Sequence, residues 1–194
     1  EETGSSYEYV RDPGITWQDA RDAAANSTHN GLQGYLATVT SDAENDFISD
    51  KLEGSGWMGA SDNAKEGEWR WVTGPEGTED GGDGRHFFTQ TASVDGRPTD
   101  VYGTTPGGGT AFEGNYEDWD RNEPNHWGSG ENYGHFWARG EWNDYAVDNS
   151  AIDGYVVEYG GMEGDPALTL ADDRTVTVSR DDPPTADAGS DLTV

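Results

Sequence analysis

Five residues in the C-terminal half of the chain carry oxygen atoms suited to a hard metal ion. They lie in three short motifs, Glu-Pro-Asn, Gly-Glu-Asn and Trp-Asn-Asp, and are Glu123, Asn125, Glu131, Asn143 and Asp144. Carboxylate and amide oxygens are the ligands that Ca²⁺ prefers, and the ion takes about six to eight of them, waters included. A site built from these residues therefore leaves coordination positions open, and we expect that the hydroxyl groups of a sugar can fill them.

The composition predicts one loop-rich globular domain with an aromatic core. The chain has 194 residues, which is enough for one hydrophobic core and too few for two domains of usual size. Only 31% of the residues are hydrophobic, but there are 28 Gly, 8 Trp and 9 Tyr. Disordered chains are poor in aromatic residues, so this abundance argues against disorder.

The chain is strongly acidic, with a formal net charge of -28. This charge makes nucleic acid and anionic membranes improbable partners, because both require basic protein surfaces. Two interpretations of the charge remain open. The acidic residues either keep a protein hydrated in a salty medium or hold divalent cations, and the two roles are compatible because bound Ca²⁺ relieves self-repulsion.

Several classes of site and segment are excluded by residue type and pattern. The chain has no Cys, which excludes disulfides, thiolate zinc sites and cysteine nucleophiles. It contains neither an HExxH nor a GxSxG motif, which argues against a zinc protease and an α/β-hydrolase, and we expect a binding domain and not an enzyme. No apolar run is long enough to span a membrane, and the N-terminus lacks a signal-peptide pattern. We therefore expect the sequence to be a mature protein or a piece of a longer one.

Two helices are predicted in the N-terminal third of the chain. Thr16 is a suitable N-cap for an apolar stripe that runs at helical spacing from Trp17 to about Asn26. Ser41 and Glu44 form a capping box, and the apolar residues that follow predict a second helix as far as Leu52.

Short strands and one long glycine-rich segment follow. Strands are predicted at Tyr7–Val10, Tyr35–Val39, Trp57–Ala60, Trp69–Val72, Phe136–Ala138 and Tyr155–Tyr159. The segment from Gly74 to Gly114 is too long for an ordinary turn, and we expect a functional, inserted or mobile loop there. The tryptophans assigned to the core are Trp69, Trp71, Trp119, Trp137 and Trp142.

The order of short motifs along the chain resembles that of the C-type lectin-like domain family, in a cysteine-free form. The motifs are Trp17-x-x-Ala20, Leu36-Ala37-Thr38-Val39, Glu44-Asn45-x-Phe47, Trp57-Met58-Gly59-Ala60, Trp119, Glu123-Pro124-Asn125 and Trp142-Asn143-Asp144. The resemblance covers the stretch from Ile15 to about Tyr159. It implies an α+β fold, with two helices packed on short antiparallel sheets and a long calcium-binding loop region.

The resemblance also implies roles for the five oxygen-bearing residues. In sugar-binding members, a second glutamate follows the Glu-Pro-Asn glutamate by eight positions and an Asn-Asp pair begins twelve positions later, and this chain keeps both spacings. The family pattern implies a cis Glu123–Pro124 bond. The Glu-Pro-Asn order implies sugars with vicinal equatorial hydroxyls, such as mannose, glucose, N-acetylglucosamine and fucose. The residues expected to contact the sugar are Glu123, Asn125, Glu131, Asn143, His126 and Trp127.

A second metal site of the family is only partly matched. Asp62 and Glu66 match its first two ligands, and Asn132 can offer its carbonyl oxygen. His126 stands where the family often has an aspartate, and histidine is a poor ligand for Ca²⁺. The alternative is that the two acids are solvated loop residues.

The positions that match the family's cysteines are Ala24, Tyr133, Val147 and Val157, so hydrophobic packing is expected to replace the disulfides.

The predicted organisation is one domain followed by a linker. Residues 1–160 form the C-type lectin-like domain, and residues 161–182 form a C-terminal strand extension or linker in which Leu168/Leu170 and Val176/Val178 alternate. Residues 183–194 resemble a linker and the beginning of a PKD-type immunoglobulin-like repeat of bacterial surface proteins.

Together these features predict calcium-dependent carbohydrate binding by an adhesion module of a large bacterial cell-surface or secreted protein. Ca²⁺ is the expected cofactor. The expected partners are cell-surface glycans or polysaccharides and neighbouring extracellular domains. Three alternatives stay open: a protein- or ice-binding domain with a structural calcium ion, a hydrolase with a structural calcium ion, and a structural spacer.

Overall fold

The computed structural model describes residues 5–90, 108–126 and 130–165, and these residues form the predicted α+β fold. Helix α1 spans Trp17–Asn26 and helix α2 spans Asp42–Ser49. Both predicted N-caps are confirmed, since Thr16 Oγ1 accepts the N–H of Asp19 at 3.1 Å and Ser41 Oγ accepts the N–H of Glu44 at 3.3 Å. In this part of the chain, no helix is both long and apolar enough to cross a membrane.

Within the described residues, ten short strands accompany the two helices. They are β1 (Ser6–Arg11), β2 (Thr28–His29), β3 (Leu32–Leu36), β4 (Gly56–Ser61), β5 (Glu68–Trp71), β6 (Arg85–Gln90), β7 (Gly109–Ala111), β8 (Glu131–Phe136), β9 (Trp142–Ala146) and β10 (Gly154–Tyr159). Two single 3-10 turns lie at Glu76–Thr78 and Phe112–Gly114.

Three sequence-based expectations about these elements are wrong. The strand predicted at Tyr35–Val39 is displaced, because β3 spans Leu32–Leu36. The predicted strand at Phe136–Ala138 is displaced, because β8 ends at Phe136 and Trp137 begins a tight turn into β9, closed by the Gly140 N–H donating to Trp137 O at 2.9 Å. The Gly74–Gly114 segment is not one long loop, since it contains β6 and β7, which pair with each other. Residues 91–107 of that segment lie outside the described residues. The predicted strand extension beyond residue 165 and the predicted start of a further repeat at residues 183–194 also lie outside them.

The sheet is mixed rather than wholly antiparallel. Strand β10 lies at its centre, antiparallel to β1 and β3 and parallel to β4. Strand β4 also pairs with β5 and β8, and β8 pairs with β9. The β8–β9 hairpin is thereby attached to the main sheet through β4, which fixes the position of the two strands that carry the predicted metal ligands.

A tryptophan-rich cluster fills the core beneath this hairpin. Trp69, Trp71 and Trp142 are buried, as predicted, and Trp71 stacks on Phe87 with ring centroids 4.4 Å apart. Trp119 is partly buried and packs against the same cluster. Trp137 is the exception. It is only partly buried and packs edge-on against His135 and Tyr145, because its place in the β8–β9 turn keeps it out of the core.

The positions that match the family's cysteines come together in a second hydrophobic cluster. Ala24 and Val157 are almost fully buried there, at 0% and 1% exposure, and Tyr133 and Val147 pack into the same cluster. Side-chain packing therefore occupies the places that disulfides would hold.

A buried carboxylate lies between the core and the start of α2. Glu158 is 4% exposed, and its oxygens accept the Tyr7 hydroxyl at 3.2 Å and the Thr38 N–H at 3.2 Å. Burial, followed by the negative charge of Glu44, raises the pKa of Glu158 to about 7. The folded state thus holds a proton over a pH range in which an unfolded glutamate, with a pKa of about 4.3, has lost it.

We expect Glu158→Gln to stabilise the domain in EDTA at pH 8 and to have little effect at pH 4. Because the folded pKa is raised, the stability associated with this group is present below about pH 4.3 and is lost as pH rises through about 7. The gain in unfolding free energy should therefore grow with pH to at most about 4 kcal/mol. Chemical denaturation of the wild type and the variant across this range measures it.

The matched control is Glu53→Gln, the same change of charge at an exposed position. Its unfolding free energy should run parallel to that of the wild type at every pH. Parallel curves for Glu158→Gln as well would contradict a titration of the buried carboxyl group in this range.

Candidate functional site

The β8–β9 hairpin brings three of the five predicted ligands to one region. Glu131 is the first residue of β8, and Asn143 and Asp144 lie in β9. The antiparallel register places Asn143 opposite His135 and Asp144 opposite Gly134. All three ligands are buried, with exposures of 9% for Glu131, 4% for Asn143 and 0% for Asp144.

The Glu-Pro-Asn loop is fastened to this hairpin by Asp144. The Glu123–Pro124 bond is cis, as the family resemblance implies. The two carboxylate oxygens of Asp144 accept the N–H groups of Asn125 at 2.9 Å and of His126 at 2.7 Å. On the other side of the loop, Pro124 O accepts the side-chain amide of Gln90 at 3.0 Å. These bonds bring the Glu-Pro-Asn loop next to β9.

The backbone around the loop adopts an unusual conformation. Asn122 and His126 have φ angles of 70° and 53°, which lie in the left-handed region. Positive φ angles are uncommon in residues other than glycine, and they persist where contacts with the surrounding structure hold the backbone in place. The bond from the His126 N–H to Asp144 provides that restraint at one end of the loop.

Two buried oxygens of the loop have no hydrogen-bond donor. Asn125 Nδ2 donates to Glu123 Oε1 at 2.9 Å, but Glu123 Oε2 and Asn125 Oδ1 are unpartnered. A buried acceptor without a partner costs about 1–3 kcal/mol, and more when it is charged. A cation bound between these residues and the hairpin would satisfy both oxygens, so the donor set fits a hard metal ion.

The carboxylates of the site also repel one another. Burial raises the pKa of Glu123 to about 9, and the negative charges of Asp144 and Glu131 contribute to the shift. Burial likewise raises the pKa of Asp144. A divalent cation would remove this cost, because an opposite charge nearby favours ionised carboxylates.

The ligands are nevertheless not gathered into a ready-made cage. Within the described ranges, no three Asp, Glu or His side chains converge closely enough to hold a metal ion by themselves. Two of the five predicted ligands, Asn125 and Asn143, are amides, so the acidic side chains alone do not make up the predicted ligand set.

The second set of predicted ligands lies beside the first. Asp62 is 1% exposed and its Oδ2 accepts the Gly67 N–H at 2.9 Å, whereas its Oδ1 is unpartnered, as is Asn132 Oδ1. Burial raises the pKa of Asp62 to about 8, and the charges of Glu66 and Asp144 add to the shift. This set also retains oxygens that a cation would satisfy.

His126 lies within this second set. Its Nδ1 is 3.0 Å from Glu66 Oε1, although the alignment is not that of a hydrogen bond, and its Nε2 accepts the Gly130 N–H at 3.3 Å. The ring therefore connects Glu66 to the residue that precedes β8. Trp127, the other predicted sugar contact beyond the five ligands, lies outside the described residues.

Sequence reasoning missed one residue of the site, His135. It is fully buried in β8 and its Nε2 accepts the side-chain amide of Asn143 at 3.0 Å. The available signal was a single histidine eight positions before Asn143, in a segment otherwise rich in aromatic residues. Without the β8–β9 register, nothing connected that histidine to the metal ligands.

Comparison with known proteins places this geometry in a family. The Lectin C-type domain family matches residues 14–152. Halomucin of Haloquadratum walsbyi is 38% identical over 177 residues, which are 90% of this chain and 2% of halomucin. The perlucin-like protein of Mytilus galloprovincialis is 26% identical over 74% of this chain and 69% of its own length. The chain thus spans only a very small part of the first of these relatives.

Solved structures show the same fold. The C-type carbohydrate-recognition domain of cow CD23, crystallised in the presence of a GlcNAc2Man3 oligosaccharide, is 25% identical and superposes with a TM-score of 0.52. The match covers 81% of this chain and 89% of that domain. With the family match over residues 14–152, this shows that the chain belongs to the C-type lectin domain family, a class of carbohydrate-binding domains that are not enzymes.

Proposed function

We propose that this domain binds carbohydrate through a Ca²⁺ ion held by Glu123, Asn125, Glu131, Asn143 and Asp144. The observation that carries the proposal is the pair of buried, unpartnered oxygens, Glu123 Oε2 and Asn125 Oδ1, in the loop that Asp144 fastens to the hairpin. They belong to two of the residues that the motif spacing assigns to the metal.

The sugar class follows from the donors and acceptors that surround the ion. A carboxylate that gives one oxygen to the metal can accept a sugar hydroxyl with the other, and an amide can donate to a sugar oxygen. When bound, Ca²⁺ supplies a charge centre on which two vicinal hydroxyls can lie. The Glu-Pro-Asn order supports the mannose, glucose, N-acetylglucosamine and fucose class, and the mannose-containing oligosaccharide named with the CD23 domain agrees with it.

The cellular setting is part of the same proposal. The similarity to a segment covering 2% of halomucin supports a module within a very long extracellular protein of a prokaryote. Its partners would be cell-surface glycans or polysaccharides, with further domains before or after it in the parent chain. One shallow site of this kind binds a monosaccharide with a Kd on the order of 1 mM, so adhesion would depend on many copies acting together.

A second, weaker cation site is proposed at Asp62, Glu66 and Asn132. Asp62 Oδ1 and Asn132 Oδ1 are unpartnered and can ligate an ion. Glu66, however, is in contact with His126, which also occupies the position of a fourth carboxylate. With fewer free charges, this site should fill only after the principal one.

Ca²⁺ should stabilise the domain strongly. An ion that binds only the folded state at about 100 times its Kd adds about 2.7 kcal/mol to the unfolding free energy. For a domain of this size, this corresponds to a rise in Tm of roughly 5–10 °C. Thermal denaturation in 10 mM CaCl₂ and in excess EDTA measures the difference.

Asn125→Ala should abolish most of this rise, because it removes one unpartnered oxygen. Asn26→Ala, the same change at an exposed position of α1, is the matched control and should retain the full rise. Equal Tm values for the wild type in CaCl₂ and in EDTA would refute the proposed calcium site.

A glycan array should show binding of mannose- and fucose-type glycans in Ca²⁺ and none in EDTA. The double change Glu123→Gln with Asn125→Asp exchanges donor and acceptor beside the ion, so preference should move toward galactose. If the array is blank in Ca²⁺ while calcium binds tightly, the protein- or ice-binding alternative is favoured. An unchanged preference in the double variant would mean that these two residues do not select the sugar.

His126→Asp should strengthen the second cation site by on the order of tenfold, because calcium affinity increases with the charge of its ligands. Calorimetric titration of the variant should then show two Ca²⁺ ions bound per domain, the second on the order of tenfold more tightly than in the wild type. The control is His29→Asp, which adds the same charge at an exposed position. Two equally tight sites in the wild type, or no change in His126→Asp, would show that His126 does not weaken this site.

A further inference from the structure

His135 makes a hydrogen bond with each nitrogen of its ring, and the partners define where its proton lies. Nδ1 is 2.9 Å from Phe136 O. A carbonyl oxygen only accepts, so Nδ1 carries the hydrogen. Nε2 is 3.0 Å from Asn143 Nδ2.

The orientation of the Asn143 amide is fixed independently of the histidine. Asn143 Nδ2 lies 2.7 Å from Asp144 O. Since that oxygen is also only an acceptor, the atom facing it must be the amide nitrogen and not the amide oxygen. The second amide hydrogen then points to His135 Nε2, which must accept it, so His135 is neutral with its proton on Nδ1.

Packing holds the His135 ring in this orientation. The ring stacks on Tyr145 with centroids 4.1 Å apart and meets the edge of Trp137 at 4.8 Å. It is 0% exposed. A flip of the ring would exchange Nδ1 with Cδ2 and Nε2 with Cε1, so that C–H groups would face Phe136 O and the Asn143 amide and both hydrogen bonds would be lost.

Both amide hydrogens of Asn143 are therefore used within the protein. The side chain keeps only its oxygen for another group. An asparagine that ligates the metal through its carbonyl oxygen can donate its NH₂ to the sugar. Asn143 cannot fill the second role while His135 accepts one hydrogen and Asp144 O the other.

We propose that His135 is a positioning residue that makes Asn143 a ligand for the cation alone and removes it as a hydrogen-bond donor to the sugar. The inference rests on the proposed calcium site. It assigns specificity to a residue outside the Glu-Pro-Asn and Trp-Asn-Asp motifs. A sugar hydroxyl next to Asn143 is then held by the metal and donates to a carboxylate, but accepts no hydrogen bond from Asn143.

Two variants separate positioning from simple packing. His135→Phe keeps an aromatic ring against Tyr145 but removes the acceptor, whereas His135→Gln retains an acceptor oxygen. Three quantities are compared: the Tm in EDTA, the Kd for Ca²⁺ alone, and the Kd for methyl α-mannoside at saturating Ca²⁺.

We expect His135→Phe to raise the Kd for Ca²⁺ on the order of tenfold, as is common when a residue that orients a metal ligand is lost. His135→Gln should stay within about threefold of the wild type, because it can still accept the amide hydrogen. At saturating Ca²⁺, His135→Phe should bind methyl α-mannoside at least as well as the wild type, since Asn143 regains a hydrogen to donate. A purely structural role would instead weaken calcium and sugar binding together and lower the Tm.

A wild-type measurement keeps the inference testable if His135→Phe does not fold. Nitrogen NMR of the histidine rings should show His135 protonated at Nδ1 and unprotonated at Nε2. Protonation at Nε2, unchanged calcium affinity in His135→Phe, or equal losses in His135→Gln and His135→Phe would overturn the inference. If the wild type binds no Ca²⁺, the proposed function fails, and the ring tautomer still decides the orientation of Asn143.

Discussion

The site depends on one buried carboxylate, that of Asp144. It is 0% exposed and accepts the backbone N–H groups of Asn125 and His126. These two bonds attach the Glu-Pro-Asn loop to the β8–β9 hairpin, although the bonded loop residues precede Asp144 by 19 and 18 positions. Hydrogen bonds to a charged group contribute roughly 1.5–3 kcal/mol each, so this carboxylate holds the Glu-Pro-Asn loop against the sheet. Its position in turn depends on the pairing of β8 with β4 and on the packing of neighbouring Trp142 in the core.

The same arrangement creates the electrostatic demand that a cation would meet. The partly buried Glu123 lies close to the fully buried Asp144. Burial raises the pKa of both carboxyl groups, and the negative charges of Asp144 and Glu131 add to the shift at Glu123. Asp62 shows the same behaviour in the adjoining set. In a chain with 39 acidic and 11 basic residues, the protein offers few cations of its own to this region. The acidic composition and the proposed metal site are thus consistent with one another. An external divalent ion would neutralise negative charge of the carboxylates that basic residues of the chain do not neutralise.

Much of the fold could be predicted from the sequence because the signals were local. The caps at Thr16 and Ser41 fixed the starts of both helices, and the spacing of Glu123, Glu131 and Asn143 identified three residues that the loop and the hairpin bring to one region. The failures involved pairing over long range. Strands β6 and β7 lie in a glycine-rich segment whose composition resembles a loop, and they exist because β5 offers an edge to pair with. The positions of Trp137 and His135 depend on where β8 turns into β9, which the alternation of residue types did not reveal.

A crystal structure grown in CaCl₂ tests the central claim most directly. The account predicts an ion within about 2.3–2.6 Å of both Glu123 Oε2 and Asn125 Oδ1, the distances at which oxygen ligands bind Ca²⁺. Asn143 should contribute its Oδ1 to the same ion while its Nδ2 stays bonded to His135 and to Asp144 O. A structure at saturating Ca²⁺ with no ion in contact with these oxygens would contradict the account.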